Sequence, residues 1–214
     1  MSATKLLVLG VARIFQPVHG YVVRRELLSW KVDQWANVKP GSIYGALRTL
    51  VKEGSLDEVG TESEGGRPAR TTYRVNEDGE VEFFDLFRRN LWQNVDSTDL
   101  SGFRAALSFI WVARRDEVLQ AMEHRINLLD GCLKEQRFGR EQMAGIAEKP
   151  DHVVELYRLE EALLRGQLAW TRAFTERLRA GTYAFADEPG AGGVWHEALV
   201  EQGIVAATPR GTSL

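Results

Sequence analysis

Residues 38–56 read VKPGSIYGALRTLVKEGSL, a stretch that combines a turn, an amphipathic helix and a helix stop. Its apolar side chains recur at helical spacing, and they are Ile43, Ala46, Leu47, Leu50 and Val51. Ser42 after Pro-Gly has the pattern of a helix cap, and Gly54 that of a helix end. The stretch therefore predicts a helix over 42–53 with one face in a core.

The opposite face of this helix carries side chains that suit DNA. Tyr44, Arg48 and Lys52 follow one another at intervals of four residues, and Lys39 and Ser42 stand near the helix start. The free N–H groups of a helix N-terminus bind phosphate, and a recognition helix presents its N-terminal residues to base edges. Taken alone, Lys and Arg on such a face are most often solvated surface, and Tyr44 could simply cover the edge of the core.

The flanking segments predict a three-helix unit followed by a β-hairpin. Helices are expected over 4–16 and 20–30, and the runs SLDEV and TTYRV are short and β-prone. The loop between these runs places Arg67 and Arg70 near the hairpin tip, where arginines commonly contact phosphate or the minor groove. Three helices and then a hairpin is the order of a winged helix-turn-helix, and this arrangement favours DNA binding over a merely solvated surface.

The second half of the chain is predicted to be helical. After the polar stretch 93–99, helical patterns cover about 99–112, 114–144 and 151–180. The last of these would be roughly 45 Å long and needs a partner surface, either within the chain or on a second copy. The predicted organisation is a DNA-binding domain over 1–92, a helical dimerisation domain over 99–181, and a flexible or partly helical tail over 182–214.

The composition of the chain limits the classes of function that it can have. The chain has 214 residues, 44% hydrophobic and 27% charged, which is ordinary for a folded protein. Its net charge of −3 means that binding to nucleic acid requires a local basic patch. The single cysteine, Cys132, cannot form an internal disulfide, and no segment approaches the roughly 18 apolar residues of a membrane span. The sequence therefore predicts a cytoplasmic protein without a membrane partner.

The sequence carries no motif of an enzyme or a metal site. Its four histidines stand at no metal-ligand spacing from one another or from Cys132. The segment PGAGGVW is not a GxGxxG dinucleotide motif, because Trp195 stands where the pattern, counted from Gly190, requires its last glycine, and no strand precedes it. We therefore expect no catalytic residue, no cofactor and no metal, and an enzyme is the weakest alternative.

Four blocks of the sequence resemble the PadR family of transcriptional regulators. The blocks follow the order and spacing of the family, and they are HGY (19–21), PGSIYGALRTLVKEG (40–54), GGRPARTTYRV (65–75) and NEDG (76–79). The resemblance implies that 42–53 is the recognition helix and 55–75 the wing. Gly45 departs from the family, whose members often have proline there. Glycine starts a helix less firmly, so the recognition helix is expected to be more mobile.

The second half is similar to the C-terminal domain of longer PadR proteins, which dimerises, and the resemblance implies a repressor that a small ligand releases. A self-contained helical bundle is the plainer alternative for this half. Aromatic side chains in a cleft between domains can stack on flat ligands. We hypothesise that four of them line a pocket for a phenolic or drug-like effector, although packing is the commoner role of any one: Trp92, Phe103, Trp111 and Trp170.

The predicted function is a homodimeric DNA-binding repressor that binds double-stranded operator DNA and releases it with a small effector. Its expected DNA contacts are Lys39, Ser42, Tyr44, Arg48, Arg67 and Arg70. The main alternative is a protein-interaction module that uses the winged fold and the long helices to bind another protein. DNA affinity that falls steeply with salt distinguishes the first from the second.

Overall fold

A computed structural model of the protein describes residues 2–62, 70–144, 150, 152–186 and 188. The elements in chain order are α1 (Ser2–Phe15), β1 (Val18–His19), α2 (Gly20–Ser29), α3 (Val32–Trp35), α4 (Pro40–Lys52), β2 (Leu56–Glu62), β3 (Arg70–Val75), α5 (Glu77–Leu91), α6 (Ser101–Leu107), a short 3-10 turn (Ile110–Val112), α7 (Arg115–Ala144) and α8 (Val153–Arg179). This order confirms the predicted fold class, a winged helix-turn-helix with a small sheet followed by a helical region.

The predicted hairpin is part of a sheet of three strands. Its order is β1-β3-β2 and both pairings are antiparallel, with Val18 opposite Tyr73 and Leu56 opposite Val75. The register shifts between Glu58 and Gly60, where β2 carries an irregularity. The sequence did not indicate β1, because two residues are too short to show an alternating pattern.

Helix α4 begins earlier than the sequence pattern indicated. Its N-cap is Lys39, in extended conformation, and Pro40 occupies the first helical turn. The predicted cap at Ser42 is therefore wrong: proline has no N–H to satisfy and its fixed φ suits the start of a helix. The end of the helix agrees with the sequence, since Gly54 has a φ of +83° and the N–H of Ser55 donates to the Leu50 oxygen.

Helix α1 lies within the main core and packs against α2, α4, α5, α6 and β3. The segment over 99–112, predicted as one helix, is instead α6 followed by the 3-10 turn. Between them Phe109 inserts into the core, where its ring centroid lies 5.6 Å from that of Phe83 and 5.8 Å from that of Trp30. The apolar core therefore continues across the polar stretch 93–99 that separates the proposed domains.

Helices α7 and α8 pack along each other. A second cluster of buried side chains joins them, and it consists of Leu129, Leu133, Leu164 and Leu168. The C-terminal part of α8 returns to the main core through Phe174 and Leu178, and the chain beyond it adds Phe185. Most of the predicted tail, including Trp195, lies outside the described residues. In the part of the chain that is described, no helix has the length and apolarity needed to cross a membrane.

Candidate nucleic-acid interface

The two faces of helix α4 differ in burial. Its inner side chains Ile43, Leu47 and Leu50 are fully buried. Its outer face and start expose four residues expected to contact DNA, namely Lys39, Ser42, Tyr44 and Arg48. Among the described residues, no hydrogen bond or ion pair occupies the side chains of Lys39, Ser42 or Arg48. Their donors are therefore available to phosphate oxygens or base edges.

Tyr44 lies at the boundary between the inner and outer faces of α4, since it is 37% exposed and also borders the core. A Cβ atom added at Gly20 would lie 3.4 Å from the Tyr44 ring and 3.4 Å from the ring of Tyr73. The absence of a side chain at Gly20 thus lets a tyrosine of α4 and one of β3 approach the start of α2. One edge of the Tyr44 ring is held by this packing, which orients the exposed part of the side chain.

The glycines on α4 leave open space rather than filling a tight contact. A Cβ atom added at Gly41 or Gly45 would meet no atom within 4 Å. Packing inside the protein therefore gives no reason for glycine at either position. The open space at both glycines is compatible with the predicted close approach of the backbone to DNA, which stays a prediction.

The base of the wing lies near Arg48. Burial raises the pKa of Tyr73 above its usual value, the facing carboxylate of Glu58 adds to the rise, and the positive charge of Arg48 opposes it. Strands β2 and β3 are paired as far as Glu62 and Arg70, whose backbones are opposite each other. The side chain of Arg70 and all of Arg67 lie outside the described residues, so their contacts with DNA remain predictions.

Asn76 connects the recognition helix, the wing and α5. Its Oδ1 accepts the N–H of Gly79 at 2.9 Å, which caps α5. Its Nδ2 donates to the Gly54 oxygen and to Oδ1 of Asp57, both at 2.9 Å. A Cβ atom at Gly79 would lie only 2.1 Å from the backbone oxygen of Ser55, so glycine is required there. This role of Asn76 was not expected from the sequence, although asparagine before the acidic turn Glu77–Asp78 is a helix-start signal.

His19 ties the start of α2 to the sheet. Its Nδ1 lies 3.0 Å from the hydroxyl oxygen of Thr72 on β3, and its ring stacks on that of Tyr21 at 5.7 Å. The HGY block of the sequence thus has a structural role at the start of α2. Tyr21 itself is 46% exposed.

The four aromatic residues of the effector hypothesis separate into one pair and two single positions. Phe103 and Trp170 meet edge to face, with ring centroids 5.9 Å apart, and both line a cavity of about 390 Å³. Trp92 instead tilts against His124, and Trp111 packs against the main core. Neither of these two tryptophans lines that cavity.

The same cavity contains a buried arginine that sequence reasoning missed. Arg125 on α7 is 3% exposed, and its guanidinium carbon lies 3.9 Å from the centre of the Phe103 ring. Its Nη2 donates to Oε1 of Gln167 at 2.6 Å, and its Nε has no hydrogen-bond partner among the described residues. Burial lowers the pKa of Arg125 to about 10. Its position in line with the buried Met122 and Leu129 was the available signal.

Helix α6 is a wall shared by two cavities. The second, of about 450 Å³, is lined by Trp30 and Trp35 at the end of α2 and in α3, and by residues of α6 and just after it. Arg104 and Leu107 line both cavities, and the Arg104 guanidinium lies 4.7 Å from the centre of the Trp35 ring. Helix α6 therefore lies between this second cavity, next to the helix-turn-helix, and the cavity that contains Arg125.

Comparisons with known proteins agree with the sequence blocks. Residues 8–85 match the transcriptional regulator PadR-like family, which confirms the resemblance expected from the sequence. No protein of curated function matches the chain.

Several solved structures are similar to the chain at low identity. PadR of Bacillus subtilis, solved in complex with operator DNA, is 18% identical, with 81% of this chain and 98% of that chain covered and a TM-score of 0.37. A Streptococcus mutans protein is 19% identical, with coverages of 83% and 97% and a TM-score of 0.35. A PadR-like regulator of Bacillus cereus is 19% identical, with coverages of 83% and 99% and a TM-score of 0.33.

Proposed function

We propose that this chain, whose residues 8–85 form a domain of the PadR-like family of transcriptional regulators, is a homodimeric repressor that releases operator DNA when a small effector binds. The observation that carries the proposal is the outer face of α4. It exposes hydrogen-bond donors next to two glycines that have no neighbouring atoms, while the inner face of the helix is buried in the core. A surface of this kind fits the major groove of DNA.

The proposed contacts divide into positioning and specificity. Lys39 and Arg48 are cations at the start and on the outer face of α4, and we assign them to phosphates or to guanine edges. Ser42 and Tyr44 are also exposed, on the two flanks of the outer face, and are assigned to base edges. Arg67 and Arg70 would add phosphate or minor-groove contacts from the wing. With a net charge of −3, the chain relies on this local patch for attraction to DNA.

Helix α8 supports the homodimer through a stripe of exposed apolar side chains. Leu156, Leu159, Leu163 and Trp170 are 66%, 60%, 40% and 41% exposed. They are spaced by three, four and seven residues, which is the spacing of a coiled-coil seam. Exposed apolar rows of this length mark interaction surfaces. A second copy of the chain would cover the stripe with its own and hold two recognition helices in the two-fold arrangement that an operator with two half-sites requires.

The cavity between α6, α7 and α8 is the proposed effector site. It contains two of the four aromatic residues of the hypothesis, Phe103 and Trp170. Trp170 also belongs to the apolar stripe of α8, and Leu107 borders the second cavity next to the helix-turn-helix. A ligand that fills this space would shift α6 and α8 together and thereby change the spacing of the recognition helices.

The test measures the affinity of the purified protein for the DNA upstream of its own gene by fluorescence anisotropy across a salt series. Arg48→Ala should weaken binding and reduce the slope of log affinity against log salt by about 1, because one phosphate contact is lost. Arg137→Ala, on the exposed surface of α7, is the matched control and should bind as the wild type does.

Two outcomes would count against the proposal. Equal affinity for operator and random DNA, followed by a selection from random sequences that enriches nothing, would favour the protein-interaction alternative. Equal weakening by Arg48→Ala and Arg137→Ala would remove α4 from the interface.

A further inference from the structure

The chain after α8 folds back onto the start of α7 and is anchored there. Phe185 is fully buried in the main core. The N–H of Ala186 donates to the backbone oxygen of Ala113 at 3.0 Å. The carboxylate of Glu188 accepts from Nη2 of Arg115 at 2.7 Å, and the same guanidinium lies 4.8 Å from the centre of the Phe185 ring. Glu188 is therefore held where the 3-10 turn meets α7.

A groove with aromatic walls lies at the end of α6, just before the same turn. It is the cavity of about 450 Å³ described above, here called the tryptophan groove, and it is lined by Trp30, Trp35, Arg104, Leu107 and Ser108. The Nε1–H of Trp35 donates to the backbone oxygen of Trp30 at 2.9 Å, which orients the Trp35 ring. None of these five lining residues is fully buried. A small-molecule site usually covers most of its ligand, whereas a groove open to water suits a segment of polypeptide.

The tryptophan groove has the composition of a protein-binding surface. Tryptophan and arginine are enriched at the hot spots of protein interfaces. The guanidinium of Arg104 lies 4.7 Å from the centre of the Trp35 ring, and no carboxylate among the described residues forms an ion pair with it. A guanidinium that stacks on a ring keeps its N–H donors free for a carboxylate. The occupant is therefore expected to bring an apolar side chain for the tryptophans and an acidic one for Arg104.

The segment VWHEALVEQGI, residues 194–204, has both kinds of side chain and contains no lysine or arginine. Helical spacing predicts one apolar face, formed by Val194, Trp195, Ala198 and Leu199. Glu197 and Glu201 stand four residues apart, along one edge of that face. An aromatic face with an acidic edge complements a groove that has aromatic walls and one unpaired cation.

The segment is also within reach of the groove. Residues 189–193 separate Glu188 from the segment, and six peptide steps span up to about 20 Å. From Ala113 back to Ser108 the chain makes five steps, which span at most about 18 Å, and the 3-10 turn between them shortens this distance. A tether of this length gives an effective concentration on the order of millimolar, so a weak contact is sufficient to occupy the groove.

We propose that residues 194–204 bind the tryptophan groove of their own chain as an amphipathic helix. Trp195 packs against the two tryptophans of the groove, and an acidic side chain of the segment binds the guanidinium of Arg104. The groove lies between the helix-turn-helix and α6, so the bound segment joins the two halves of the chain. The proposal depends neither on the effector nor on repression.

Disulfide trapping in the full chain tests the proposal. Cys132→Ser removes the native cysteine, and Ser108→Cys places a thiol in the groove. With Ala198→Cys, on the apolar face of the segment, mild oxidation should form an intramolecular disulfide about tenfold faster than with Val200→Cys, on the opposite face. Equal rates would overturn the proposal. A disulfide-linked dimer on a non-reducing gel would assign the groove to the segment of a second copy and would overturn it as well.

Hydrogen–deuterium exchange of the full chain gives a second test, with variants that leave the described core unchanged. Trp195→Ala should speed the exchange of backbone amides over 30–36 and 104–108 by about tenfold, because the groove loses its occupant. Val200→Ala is the matched control and should exchange as the wild type does. Exchange that is the same in both variants would show that the segment does not cover the groove.

Charge reversal tests the contact with Arg104 by the trapping rate. Arg104→Glu should slow the formation of the Ser108→Cys, Ala198→Cys disulfide, and adding Glu197→Lys and Glu201→Lys should restore it. The two lysine substitutions on their own should slow it in the same way, without any change in the described part of the chain. If neither charge change alters the rate, an acidic contact with Arg104 is excluded and the proposal fails.

Discussion

The side-chain amide of Asn76 donates to the backbone oxygen of Gly54 at 2.9 Å, which joins the start of α5 to the end of the recognition helix. The same side chain caps α5 and binds Asp57 near the start of β2. Three parts of the winged unit therefore depend on one residue, and the orientation of the wing relative to α4 is set at this point.

Replacing Asn76 with alanine should lower the free energy of unfolding by about 1–2 kcal/mol, because a helix cap is lost together with two further hydrogen bonds. Urea unfolding monitored by circular dichroism measures the change. Asn94→Ala, in the exposed connection between α5 and α6, is the control and should unfold as the wild type does. Equal losses in the two variants would contradict the role assigned to Asn76.

Two glycine-to-alanine substitutions should have opposite effects on stability. Gly45→Ala should stabilise the protein by about 0.5–1 kcal/mol, because alanine is the better helix former and its Cβ meets no atom. Gly79→Ala should be strongly destabilising, since its Cβ would lie 2.1 Å from the Ser55 oxygen. Thermal unfolding compares the two.

DNA binding gives Gly45 a second test. If the backbone of α4 approaches the operator closely, Gly45→Ala should weaken operator binding in the anisotropy assay although the variant is the more stable one. Unchanged affinity would show that the DNA does not come near Gly45.

Leu163→Glu should dissociate the proposed dimer, because the carboxylate would enter the centre of the α8 stripe. Ala162→Glu changes the neighbouring exposed position, off the stripe and within one turn of Arg158 and Arg165, and should leave the dimer intact. Sedimentation equilibrium gives the mass of each variant. A wild type that sediments as a monomer at every concentration, or a dimer that survives Leu163→Glu, would exclude α8 as the dimer seam.

The turn between α5 and α6 should contribute a measurable part of the loss of stability in acid. Asp96 accepts hydrogen bonds from the backbone N–H groups of Asp99 and Thr98 and from the Thr98 hydroxyl, and these bonds lower its pKa from the ordinary value of 3.8. A group with a lowered pKa stabilises the folded state above its ordinary pKa and loses that effect as the pH falls through the lowered one.

Asp96→Ala should therefore be less stable than the wild type at neutral pH, and the difference should shrink below the ordinary pKa of aspartate. Urea unfolding across a pH series measures both effects. A difference for Asp96→Ala that stays constant across the pH series would remove the turn from the acid response.

Elements whose apolar side chains recur at a regular spacing could be predicted from the sequence. Elements that depend on contacts with residues far away in the sequence could not. The apolar spacing of α4 predicted its buried face because that face is set by helical periodicity. Phe109 gave no such signal, because its place between Phe83 and Trp30 depends on residues far away in sequence. The two-residue strand β1 depends likewise on its pairing with Thr72 and Tyr73.

The candidate sites show the same division. Tyr44 and Arg48 share an exposed face of α4 because they stand four residues apart, and Lys39 and Ser42 are exposed at its start. The pairing of Phe103 with Trp170 was anticipated only as a hypothesis about aromatic residues, and Arg125 was not anticipated at all. A charge within an apolar stripe is visible in the sequence, but whether a carboxylate neutralises it depends on α8, which lies on the other side of the cavity.

The position of Phe109 also limits how the two halves of the chain can be exchanged between related proteins. The ring fills a space beside Gly10, where an added Cβ atom would lie 2.3 Å from it, so the first helix of the DNA-binding half is shaped around a residue of the other half. A chain that ended before Phe109 would have an opening beside Gly10 in the core of its first helices. An exchange of the segment after residue 99 between related chains would therefore have to keep this aromatic ring or an equivalent.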